Sequence, residues 1–132
     1  VQKMVGRGSQ YALASADNKG EALDGSATYS MTLPQDVPAK DFWSVVLYDP
    51  QTRSQLQTDQ PFPSKNSCRD ANMEYNGDGS ITLCFAPQAP AGRERNWIQT
   101  VPGKAWFVLL RLYGPLEAWF DKSWVPGQIV KV

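Results

Sequence analysis

The side chains available for chemistry in this sequence are carboxylates, lysines, arginines, tyrosines, serines and two thiols; histidine is absent. That absence removes Ser-His-Asp and Cys-His nucleophile activation, together with any histidine-based zinc, copper or non-haem iron site. Ser44 sits in Trp43-Ser44-Val45 rather than in a strand-to-helix elbow, and reads as a small strand residue. Asp24, Asp49, Asp59, Asp78 and Asp121 all lie near turn-forming residues, where Asp caps and bends backbone. Two of them facing one cleft would serve carboxylate-dependent hydrolysis of a glycoside or amide bond, and a catalytic carboxylate there would carry a raised pKa. Asn76, Asp78 and nearby carbonyls supply too few ligands for a calcium loop. Neither a cofactor nor a metal is expected.

Arg111 stands inside an otherwise apolar stretch, Ala105 to Tyr113. A guanidinium there needs a partner, because leaving it unpaired in a dry environment is costly. Either an ion pair with Asp24, Asp41, Asp49 or Glu117 ties the strand to a loop, or the planar fork clamps an anion at a pocket mouth, where it would be the electrostatic stabiliser of an enzyme site. The five tryptophans offer a second kind of surface. Trp43 and Trp106 read as core. Trp97 follows a Pro/Gly-rich loop, and Trp119 and Trp124 follow the last long strand; indole faces at such loop edges can stack on a sugar ring or cover an adjoining domain. With Arg53 at the rim after the Asp49-Pro50 turn, the candidate contact residues are Arg53, Trp97, Arg111, Tyr113, Trp119 and Trp124. Cys68 and Cys84 are too widely spaced, with no accompanying ligands, for a metal motif, and are a disulfide or two free thiols.

The elements that must position these residues read as short strands. Tyr29 to Leu33 alternates apolar and polar residues and stops at Pro34. Phe42 to Tyr48 is aromatic and β-branched and ends at Asp49-Pro50. The polar stretch from Gln51 to Asn72 is expected to be loop, with one short strand near Ser54 to Thr58. Asn76-Gly77-Asp78-Gly79 predicts a hairpin joining Met73–Tyr75 to Ser80–Phe85, since these residues tolerate positive φ. Ala105 to Tyr113 reads as a strand buried on both faces, with Trp106, Val108, Leu110 and Leu112 on one and Phe107, Leu109, Arg111 and Tyr113 on the other. Leu116 to Phe120 predicts one helical turn, and Gln128 to Val132 a last edge strand.

The chain has 132 residues, which suits one domain over 1–132, and its 13 basic residues balance 13 acidic ones. With no basic run, electrostatic capture of nucleic acid or an anionic membrane is not expected, and no apolar run approaches the length of a spanning helix. The first residue is Val1 rather than Met and no signal peptide is visible, which reads as a processed or partial product. Ten prolines and ten glycines favour many short elements. The fold class is therefore all-β: a sandwich or barrel with short helical turns.

Several ordered segments stand out together: Leu23-Asp24-Gly25 with Tyr29 and Leu33-Pro34; Phe42-Trp43-Ser44 with Leu47-Tyr48-Asp49 and Thr52-Arg53; Asn76 through Ser80; Asn96-Trp97-Ile98; Arg111 through Pro115; and Trp124 with Pro126-Gly127. In this order they resemble a known bacterial family, the domain of unknown function 1214. The resemblance covers nearly the whole chain. It implies a jelly-roll-like antiparallel β-sandwich in an exported, periplasmic or secreted, bacterial protein, with an N-terminal partner domain, the domain of unknown function 1254. Export in turn favours the Cys68–Cys84 disulfide, although Cys84 stands where the family pattern holds an aromatic or aliphatic residue. The leading functional expectation is an accessory or binding module engaging a partner domain or a carbohydrate-like ligand. The alternatives are a carboxylate-dependent hydrolase and a purely structural component of a homo-oligomer.

Overall fold

The computed structural model describes residues 5–132. Among them, strands β1 (Ser9–Ala14), β7 (Phe107–Pro115), β3 (Ala39–Tyr48) and β4 (Ser64–Asn66) form one sheet in that order. Strands β6 (Trp97–Gln99), β5 (Ile81–Ala86), β2 (Tyr29–Leu33) and β8 (Val130–Lys131) form the other. The two sheets sandwich a single cluster of buried side chains. Leu33, Val45, Leu47, Leu83, Phe85, Ile98 and Leu112 are sealed from solvent within it, each contributing roughly 1.5–3 kcal/mol through burial. Trp106 fills the centre against the edge of Tyr29 and the tilted ring of Phe85, at centroid distances of 5.7 and 5.1 Å. A β-sandwich with almost no helix is thus the architecture. The helical turn expected after Pro115 is present as α1 (Glu117–Phe120).

Four expectations change. The sheets are not wholly antiparallel, because β6 runs parallel to β5. No strand forms at Ser54 to Thr58; a lone bridge from Gln55 to Tyr48 stands there, and the strand in this region is Ser64–Asn66, too polar to be read from its residues. The Asn76–Gly79 turn closes as expected, with the Gly79 N–H on Asn76 O and the Asn76 N–H on Ser80 O, but Met73–Tyr75 is not a strand. The buried Asn96 amide takes a strand's place, accepting from Glu74 N–H at 2.9 Å and donating to Glu74 O at 2.8 Å and Thr82 O at 2.9 Å. Lastly, β7 is buried on one face: Val108, Leu110 and Leu112 point into the core, while Phe107, Leu109, Arg111 and Tyr113 remain half-exposed on the other.

Both cysteines are free, which corrects the disulfide. Cys84 lies on β5 with its neighbours Leu83 and Phe85 turned inward, and it faces the outer side of its sheet beneath Arg93. Cys68 is exposed in the turn after β4, at the edge of the opposite sheet. Burial pushes the Cys84 thiol above its ordinary pKa, with the Arg93 guanidinium partly offsetting that shift, the opposite of the shift that activates a thiolate.

Candidate functional site

Strand alternation assigns each residue of the β1-β7-β3-β4 sheet to one of two faces. The outer face carries two stacked aromatic pairs across the β3–β7 ladder. Phe42 lies opposite Tyr113 with ring centroids 4.2 Å apart, and Tyr48 lies opposite Phe107 at 5.3 Å. Leu109 and Val46 sit opposite each other between the pairs. Cross-strand aromatic pairs of this kind stabilise a sheet, and these side chains remain partly exposed on its outer face.

Strand β1 extends this surface in an unusual way. An edge strand of a sandwich ordinarily turns its large apolar residues inward and its polar ones outward. In β1 the inward residues are Gln10, Ala12 and Ala14, opposite Leu112, Leu110 and Val108, whereas Tyr11 and Leu13 point outward and are 59% and 55% exposed. The small inward side chains leave a cleft of about 270 Å³ between β1 and the 126–129 segment, floored by Met31, Val108 and Leu110. The large outward ones widen the apolar face.

Arg111 lies near the middle of that face, paired in register with Tyr11 on one side and Ser44 on the other. The expected ion pair is not found. No carboxylate among the described residues pairs with it: Asp49 is held by Lys104 at 3.2 Å, and Asp24 accepts the Ser26 N–H. The Arg111 Nε is buried without a hydrogen-bond partner, and its guanidinium carbon lies 6.0 Å from the Tyr113 ring centroid.

The remaining candidates scatter. Arg53 is exposed in the turn after β3 at φ 58°, its N–H on Asp49 O. Trp97 is half-buried on β6 and donates its indole N–H to Ala86 O at 2.8 Å. Trp124 is buried and donates to Pro34 O at 3.1 Å. Trp119 packs against the core and shares a shallow pocket with Trp124. Arg111 and Tyr113 therefore come together, Trp119 and Trp124 come together, and Arg53 and Trp97 stand apart. The sequence reading missed Tyr11, Leu13, Phe42, Tyr48 and Phe107 as surface residues. The usable signal was the alternation Tyr11-Ala12-Leu13-Ala14, with its large and small side chains in reversed places.

Two of the candidate carboxylates are held in their charged form. Asp49 is held below the ordinary carboxylate range by the Gln51 N–H and by Lys104, and Asp78 is lowered by the hydroxyl and N–H of Ser80. A general acid needs the opposite shift. Among the described residues no group of three metal-ligating side chains converges, and no helix is long and apolar enough to cross a membrane.

Comparison with known proteins places these features in context. A family model described as "Protein of unknown function (DUF1214)" matches residues 8–117. The chain is similar in structure to the VPA0106 protein from Vibrio parahaemolyticus, with a TM-score of 0.77 and 26% identity, over 94% of this chain and 30% of that one. It is also similar in fold to an uncharacterised protein from Burkholderia cenocepacia, with a TM-score of 0.55 and 19% identity, over 94% of this chain and 29% of that one. The chain thus spans about 30% of the length of these solved structures. No curated protein matches it.

Proposed function

This chain belongs to the DUF1214 family, and from that premise we propose that it is a docking module whose outer β1-β7-β3-β4 face packs against another part of a longer polypeptide. The observation that carries the reading is the reversed β1 strand, which turns Tyr11 and Leu13 outward to join the aromatic pairs of β3 and β7. Apolar side chains grouped on an outer sheet face, with Tyr11 and Leu13 more than half exposed, are the kind of surface an interface uses. The similar proteins are about three times as long as the chain, so polypeptide able to cover the face is available in them. The exported compartment implied by the family resemblance belongs to this proposal, and the free thiols neither require nor oppose it. The carbohydrate reading is weaker, because the indole N–H groups of Trp97 and Trp124 are already used by backbone carbonyls and these rings share no platform.

The test compares the isolated chain with the product of its complete gene, each with Tyr11→Ser and Leu13→Ser together. In the isolated chain both residues are more than half exposed, so the pair should change stability by no more than about 1 kcal/mol. In the complete product the same pair removes two interface anchors, and the melting temperature of this module should fall clearly further. Equal shifts in the two proteins would overturn the proposal, as would a complete gene product no longer than this chain.

A further inference from the structure

We infer that the surface covering this face presents a carboxylate to Arg111, so that the docking contact is a heterologous one with an acidic residue at its centre. The inference rests on the docking reading and adds the chemistry of the partner. Arg111 leaves an electrostatic imbalance on this face. Arg111 has no ion-pair partner among the described residues, and its Nε is already shielded from water with no acceptor. The residues beside it in register are Tyr11 and Ser44, and the pairs on either side are aromatic or aliphatic. The outward strand positions around it therefore hold no acid.

Covering this face with an apolar surface would strip the guanidinium of its remaining water with nothing in exchange, a cost that generally exceeds the gain from the surrounding contacts. A carboxylate on the incoming surface reverses that sign. The planar fork donates two parallel N–H···O bonds to it, and the neighbouring aromatic rings exclude the solvent that would weaken them. A second copy of this chain is a poor occupant. In a two-fold contact the same patch meets itself, so a contact centred on Arg111 would set guanidinium against guanidinium with no acid between. The partner surface must differ from this one, and the long remainder of the similar structures is where such a surface can lie.

The experiment is carbodiimide labelling of carboxylates in the complete gene product, read by peptide mass spectrometry, for the native protein and for Arg111→Met. One Asp or Glu outside residues 1–132 should be shielded in the native protein and gain at least fivefold labelling in Arg111→Met. Arg111→Lys, which retains charge without the fork, should give an intermediate gain and serves if Arg111→Met does not fold. An unchanged pattern outside residues 1–132 in the variants would overturn the inference. Hydroxyl-radical reactivity at Tyr11 and Leu13, measured on the same native sample, separates the two failures. Shielded side chains with no responding carboxylate leave the docking face standing and remove its acidic partner; side chains as reactive as in the isolated chain remove the docking face itself.

Discussion

Gly25→Ala is expected to destabilise the chain by about 3 kcal/mol or more, enough to lower its melting temperature by roughly 10 °C or abolish folding. A Cβ on Gly25 would stand 1.9 Å from Val101 O and 2.6 Å from Lys104 O. Neither atom is the far end of a flexible side chain. Both belong to the 101–104 turn, which is tied to this segment by the Gly25 N–H on Lys104 O at 2.9 Å and by the buried Thr100 hydroxyl on Gly25 O at 2.8 Å. The methyl must therefore push one backbone segment off another and break these bonds. The cause is space, since Gly25 does not need a left-handed backbone. Gly20→Ala is the matched control: its φ of 80° makes Ala strained, but nothing lies within 4 Å, so it should cost only about 1 kcal/mol. Thermal denaturation of both variants checks the ranking, and equal costs would show that the close approach at Gly25 relaxes freely.

Asn96→Leu should cost about 3 kcal/mol or more. The Asn96 amide satisfies three backbone groups, the Glu74 N–H, the Glu74 C=O and the Thr82 C=O. Leucine fits the volume but leaves all of them without a partner. The effect should be local before it is global: amide exchange at Glu74 should rise by orders of magnitude while β3 and β7 retain protection. Asn96→Asp keeps the acceptor for Glu74 N–H but sets a negative charge against two carbonyl oxygens. Protonation removes that charge, so Asn96→Asp should regain stability relative to the native protein as the pH falls. Denaturant titrations of the variants at two pH values measure both effects, and a pH-independent difference would contradict this account of Asn96→Asp.

Asn96 shows where sequence reasoning stops. The Asn76–Gly79 turn was legible because Asn, Asp and Gly report local backbone preference. Its missing first arm was not, because the substitute is a side chain arriving from 22 residues away in sequence. The same contrast runs through the rest of the chain. Tyr29–Leu33 and the Phe42–Tyr48 part of β3 announced themselves through period-two patterning and β-rich residues, whereas Ser64–Asn66 is a strand only because β3 offers it an edge. The alternation of β7 was correct, but the fate of its second face was not. Phe107, Leu109 and Tyr113 look like core in sequence, and only the sheet order shows that they lie on the outer face, with no further sheet of the described residues over them. Arg111 drew attention as a charge in an apolar run; its setting, an open sheet face with no acid beside it, is a tertiary fact.

That open face is the centre of the account, and hydroxyl-radical footprinting tests it most directly. The reactivities of Tyr11, Leu13, Tyr48 and Phe107 would be measured in the isolated chain and in the complete gene product, with the exposed Tyr75, which lies off this face, as internal reference. The expected result is strong protection of all four in the complete product and unchanged reactivity at Tyr75. Equal reactivity of Tyr11 and Leu13 in the two proteins would contradict the assignment of this face as a docking surface.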